Sequence, residues 1–250
     1  RVAHVLLFLI EMQFLQQLKT EEDELLVGVR YSGGPQASHM VRINRPQKED
    51  KSDEMKHLFS TYSSVVASDL ANATFLTKDC LWHPVMQLAE LKRLRKTFDL
   101  PQDWTATIAV DRDTQLLTKY DIAWQRATHR DTSSTCGMGI DPAHCRVLEG
   151  IKLEAKYLKT QGIFDHKLKG IADYYNRKAM LEGIHSDYRS ELENQEAVEC
   201  EIMEQELSDW TLRDAIYATA TKVSDINWVR SHDYIIGEGS QGLKLDEEHG

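Results

Sequence analysis

Cysteine and proline are scarce in this chain, four and five among 250 residues, and each scarcity excludes something. Cys80, Cys136, Cys145 and Cys200 form no CxxC pair, so neither a zinc module nor a dense disulfide framework is expected. They read as reduced thiols of a cytoplasmic protein. Five prolines and thirteen glycines are too few for a disordered or low-complexity chain. Basic residues are outnumbered, 30 Lys and Arg against 40 Asp and Glu, for a net charge of −10. Such a surface repels nucleic acid and anionic membrane, so no nucleic-acid or membrane partner is expected. The ten histidines include no HExxH and no close cluster, which argues against a protein-held metal site. The apolar run Val5–Ile10 is too short to span a bilayer. No small-residue cleavage site follows it, so a buried first strand is expected rather than a signal segment. There is no internal repeat.

What is present is ordinary for a globular protein: 41% hydrophobic and 28% charged residues, in a chain long enough for a sizeable core. Strand-like runs cover 5–10, 25–31, 105–110 and 234–236. Helical patterns lie between them, at 85–96, 120–128, 164–180, 189–206 and 212–223. The first carries Leu88, Leu91 and Leu94 on one face behind Pro84, a helix-start residue. The third spaces Leu168, Ile171, Ala172 and Tyr175 as a buried stripe. The acidic run 191–206 reads as a solvated helix face. Trp82, Trp104, Trp124, Trp210 and Trp228 are dispersed, as packing residues are. Alternating strands and helices predict an α/β fold, with a mainly parallel central sheet flanked by helices and a largely helical insertion. The expected division is an α/β nucleotide-binding-like core over 1–150, a helical segment over 151–232, and a returning core strand with a glycine-rich loop over 233–250. The polar stretch 42–68 has poor periodicity and reads as a surface excursion.

Three loops place glycines beside polar groups. The first, Tyr31-Ser32-Gly33-Gly34-Pro35-Gln36-Ala37-Ser38-His39, follows a strand. A Gly-Gly turn lets backbone N–H groups approach an anion, and His39 can bind a phosphate or move a proton. The second, Ser133-Ser134-Thr135-Cys136-Gly137-Met138-Gly139-Ile140-Asp141-Pro142, sets hydroxyls beside a GxG. The third, Gly237-Glu238-Gly239-Ser240-Gln241-Gly242, follows a short strand, where α/β sheets bind ligands, and Gln241 can read a base edge. Taken singly, each loop reads first as an ordinary solvated turn.

In this order the three loops resemble adenylosuccinate synthetase. The family's RYxGGxNAGHT is similar to Arg30 through Met40. Its TTGRGIGPAY is similar to Thr135 through His144, and its FEGAQGxLLDxDHG to 237–250. Connecting segments agree more loosely, at Leu116 to Asp121 and Phe164 to Asn176. The resemblance covers about 26–250.

That family joins aspartate to IMP using GTP and Mg²⁺ through a 6-phosphoryl intermediate. The resemblance implies that His39 sits by the GTP γ-phosphate and steadies the charge of transfer. Gln36 would touch the nucleotide, Thr135 and Cys136 would cradle the IMP phosphate, and Gln241 would face the purine. Several positions depart from the pattern. The family's GDEGKGK loop, counted back from His39 without gaps, falls on Glu11 through Gln17. Glu11 would keep a carboxylate at the base position, and it also reads as an ordinary helix-start glutamate. Gln13, Phe14 and Leu15 stand where glycine, lysine and glycine wrap phosphate, and their side chains block that approach. Met138 replaces an arginine, and Asp141 places a negative charge where the family has glycine. Family members commonly dimerise through an arginine that reaches the partner's site; Gly150 stands at that place here. The family's aspartate-binding and guanine-reading segments correspond to nothing within these 250 residues. The alternative implied function is a non-catalytic homologue that keeps the fold and a purine-nucleotide pocket, or serves as a structural module.

Overall fold

A computed structural model describes residues 26–35, 37–44, 54–67, 73–104, 106–128, 137–204 and 211–239. The expected strand at 5–10 lies outside them. The first described strand, β1 (Leu26–Arg30), is buried at every position, as a strand covered on both faces must be. There follow β2 (His39–Asn44), β3 (Glu54–Phe59), β4 (Ala73–Leu76) and β5 (Leu81–Trp82). Helix α1 (Pro84–Phe98) leads to β6 (Thr107–Asp111) and β7 (Gln115–Leu116). A helical run then takes the chain through α2 (Lys119–Thr128), α3 (Ile140–Leu148), α4 (Gln161–Leu181), α5 (His185–Met203) and α6 (Thr211–Ala218). The chain closes with β8 (Lys222–Ser224), α7 (Ile226–Val229) and β9 (Tyr234–Glu238).

The central sheet has the order β8-β6-β4-β1-β9, and every pair in it is parallel. Parallel pairing puts all the carboxyl ends on one edge, so Arg30, Leu76, Asp111, Ser224 and Glu238 share that edge. Register fixes their neighbours: Arg30 lies between Leu76 and Glu238. The predicted α/β architecture is thus the observed one, with a helical stretch between β7 and β8.

Local chemistry explains the elements. In α1 the apolar residues Val85, Leu88, Leu91 and Leu94 are all buried, a stripe at helical spacing. Pro84 opens the helix, where its missing N–H costs nothing. The His83 side chain caps it by accepting from the Met86 N–H at 3.3 Å, and Asp99 ends it in the left-handed conformation with φ 54°. One face of the acidic helix α5 is buried through Tyr188, Leu192, Gln195 and Glu199, so only its other faces are solvated. Trp82 and Trp124 are core residues. No helix of the described residues is long and apolar enough to cross a membrane.

The stretch read as a polar excursion is structured where it is described. Strands β2 and β3 pair antiparallel from His39↔Phe59 to Asn44↔Glu54. A short 3-10 turn, Ser64–Ala67, follows. Phe59, Tyr62, Val65 and Val66 are all buried. These apolar residues are spaced for a bent loop laid over the sheet rather than for one helix or strand, which is why periodicity misses them. At the centre of β1, Gly28 makes the close approach possible: a Cβ there would overlap Ser63 and lie 2.7 Å from Val65 Cγ2.

Candidate functional site

The site is built where the chain leaves β1. Arg30 ends that strand and is buried, and its guanidinium donates to the carbonyls of Ala37 and, at 3.4 Å, Tyr62. The arginine therefore braces the backbone of the first glycine loop. Gly33 has φ 87°, a left-handed conformation that a side chain disfavours. Its carbonyl accepts from the Leu81 N–H at 2.8 Å, and the Ala37 N–H returns to the Gly34 carbonyl at 2.9 Å. A small cleft results, lined by Arg30, Gly33, Gly34, Ser60, Thr61, Cys80 and Leu81 among others. The Cys80 thiol donates to the Arg30 carbonyl at 3.2 Å, and burial pushes its pKa up. It is a packing residue rather than a thiolate nucleophile.

Ser60 and Thr61 line the opposite wall, and the segment 60–64 to which they belong is held at three points. Glu90, fully buried on α1, accepts from the Ser60 N–H at 2.9 Å, the Ser60 hydroxyl at 2.8 Å and the Thr61 N–H at 2.6 Å. Burial pushes the Glu90 carboxyl up, against the pull of those bonds. Arg30 holds the Tyr62 carbonyl. Glu238 holds Ser64, accepting on Oε1 from the N–H at 2.8 Å and from the hydroxyl.

The third glycine loop is described as far as Gly239, and that part stands beside the first loop because β9 pairs with β1. Arg30 is opposite Glu238, and the Tyr31 N–H donates to the Glu238 carbonyl at 3.3 Å. The second loop is described from Gly137 onward. Gly137 and Gly139 have φ 63° and 78°, and a Cβ on Gly139 would lie 2.7 Å from the Ile122 backbone nitrogen. Arg126 donates to the Gly137 carbonyl at 3.1 Å, and the Gly139 N–H donates to Gln125 Oε1. Ile140 and Ala143 of α3 then pack with Leu81 and Leu117. Leu81 also bonds to Gly33, so the second loop is joined to the first through one apolar cluster.

Of the site residues expected from sequence, only His39 is among those described. It is half-buried and opens β2, opposite Phe59. Glu11, Gln36, Thr135, Cys136 and Gln241 lie outside the described residues. Among the described residues, the fold sets Arg30 to Gly34 of the first loop beside Glu238 and Gly239 of the third, while Gly139 leads into the helix whose Ile140 and Ala143 pack on Leu81. Sequence reasoning missed Ser60, Thr61, Ser64, Cys80 and Glu90 as parts of the site. Glu90 left one faint signal: it lies three residues after Gln87 and four before Leu94, both buried. Among the described residues, no three His, Cys, Asp or Glu side chains gather to hold a metal ion.

These features define a class: a parallel α/β protein with glycine-rich loops at the carboxyl edge of its sheet, where such folds take ligands. The chain belongs to the adenylosuccinate synthetase family, whose model matches residues 20–250. It is similar to the adenylosuccinate synthetase of Blochmanniella floridana, 26% identical over 234 residues, covering 89% of this chain and 48% of that protein. It is also similar to that of Mycobacterium avium (strain 104), 26% identical over 251 residues and covering 97% and 53%. The chain thus spans about half the length of the curated relatives it matches. Among solved structures, its fold resembles that of fully ligated adenylosuccinate synthetase from Plasmodium falciparum. The TM-score is 0.59 and the identity 15%, covering 90% of this chain and 48% of that one.

Proposed function

We propose that this chain carries the purine-nucleotide portion of a divergent adenylosuccinate-synthetase-type ligase, one that joins aspartate to IMP with GTP and Mg²⁺. The observation that carries the reading is the register Arg30↔Glu238, which sets the first and third glycine loops side by side on the carboxyl edge. Backbone bends at such an edge suit a ligand rich in phosphate oxygens. In this reading His39, at the exit of the first loop, steadies the transferring phosphoryl group. Gln36, Thr135, Cys136 and Gln241 hold the nucleotide, and Glu11 is the base. GTP supplies the phosphoryl group, and Mg²⁺ enters with it. The division at 1–150, 151–232 and 233–250, a cytoplasmic location and a homodimer belong to the same proposal.

A second reading is a nucleotide-binding homologue without turnover. Gln13, Phe14 and Leu15 favour it, because they stand at the glycine, lysine and glycine positions of the family's phosphate loop.

Separate titrations of IMP and GTP, followed by thermal unfolding, test both. A nucleotide at a hundred times its dissociation constant adds about 2.7 kcal/mol of stability. Succinyl-nucleotide formation from IMP, aspartate and GTP supports the ligase. Binding without product supports the second reading, and no response to either nucleotide overturns both.

A further inference from the structure

Glu238 occupies an unusual position on the carboxyl edge. It is the last residue of β9, immediately before Gly239 of the third loop, and pairs in register with Arg30. One carboxylate oxygen, Oε1, takes both donors that Ser64 offers. The other, Oε2, is buried and has no hydrogen-bond partner. A buried carboxylate oxygen without a donor is costly, and nearly all such atoms in folded proteins are satisfied. A clamp on Ser64 alone needs one acceptor oxygen, so a glutamine would serve it as well. The spare oxygen is the part a structural role leaves unexplained.

We propose that Glu238 is a specificity residue of the nucleotide site, its Oε2 accepting an N–H or O–H of the bound nucleoside. This rests on the purine-nucleotide reading above. The carboxylate repels phosphate, so it suits the sugar hydroxyls or a ring N–H and not the phosphate end. The same side chain fastens the 60–64 wall through Ser64, so a donor seated on Oε2 is coupled to the wall of the cleft.

Glu238→Gln is the discriminating change. It keeps an acceptor for Ser64 and puts an NH₂ where the spare oxygen was, so a ligand donor would then meet a donor. Calorimetric titration of the wild-type chain with IMP and with GTP first identifies which nucleotide binds. For that nucleotide, E238Q is expected to weaken binding about tenfold or more, with the melting temperature of the free protein little changed. Ser64→Ala, which loosens the clamp and keeps the carboxylate, is expected to weaken binding clearly less than E238Q does. Unchanged affinity in E238Q overturns the inference. Equal losses in E238Q and S64A also overturn it, because the residue would then only position the wall. If E238Q does not fold, Glu238→Asp decides: its carboxylate is one methylene shorter, and full-strength binding by that variant counts against a seated donor. Failure of the wild-type chain to bind either nucleotide is a separate result, which removes the nucleotide reading itself.

Discussion

Arg146 of α3 and Asp121 of α2 face each other across 2.6 Å with neither side chain exposed. The pair is not alone. Asp121 also accepts from the Tyr175 hydroxyl at 2.8 Å and from the N–H and hydroxyl of Thr118 at 2.8 and 2.7 Å. Arg146 donates to the carbonyls of Leu116 and Ile151. One carboxylate and one guanidinium thus join β7, α2, α3 and α4. The second glycine loop enters α3 directly, so its position depends on this knot.

Breaking the knot from one side leaves a buried charge without its counterion. Asp121→Ala or Arg146→Ala is expected to cost about 3–5 kcal/mol, read from urea unfolding. Replacing both by apolar residues of similar volume is expected to cost clearly less than the two single losses added together, since the desolvation of each charge is removed as well. Additive losses would mean that the two side chains act independently, contrary to the geometry.

The second prediction concerns the approach of the 60–64 wall to β1. Because a Cβ on Gly28 would overlap Ser63 and crowd Val65, Gly28→Ala forces the wall off the sheet. The expected loss is about 3 kcal/mol or more, at the upper end for overpacked cores. Ser63→Gly in the same chain is expected to restore part of it by removing the overlapping atoms. A G28A protein as stable as the wild type would show that the wall does not lie where the structure puts it.

Much of this architecture is legible in the sequence, and the exceptions share physical causes. The leucine stripe of α1 and the apolar runs of β1, β6 and β9 stand out because each follows one period over enough residues. Strands β5 and β7 have two residues each, too few for any period. The β2–β3 pair mixes exposed Met40 and Leu58 with buried Val41, His57 and Phe59, so its hydrophobic alternation is broken by apolar residues on both faces. Asp121, Arg146 and Glu90 look like surface charges in a one-dimensional reading, since only the packing of distant helices makes their burial tolerable. The three glycine loops were readable as a set in family order, while the contacts that fix them come from side chains up to 174 positions away, as Ser64 and Glu238 are.

The last prediction is a pH dependence centred on the buried contact between α1 and α5. His83 Nε2 lies 3.8 Å from Glu199 Oε1, both side chains being almost fully buried. Burial lowers His83 to about 4. Burial also raises Glu199 to about 7, opposed by Lys119 and assisted by Glu196. Both groups are therefore held toward their neutral forms. The His83 Nδ1 accepts from Met86, which leaves its proton on Nε2, facing Glu199. Their stability effects run in opposite directions. For His83 the unfolded chain takes a proton between about 6.5 and about 4 that the folded chain refuses, so its contribution is lost as pH falls through that window. For Glu199 the folded chain keeps a proton between 4.5 and about 7 that the unfolded chain releases, so stability is lost as pH rises through that window. Glu199→Gln deletes only the second effect and keeps a neutral side chain of the same shape. The variant should match the wild type near about pH 4.5 and gain on it as pH rises, by at most about 3 kcal/mol above about pH 7. Urea midpoints of the two proteins across that range measure the difference directly. A gap that stays constant with pH would mean that Glu199 titrates at its ordinary value and that the contact with His83 is looser than 3.8 Å implies.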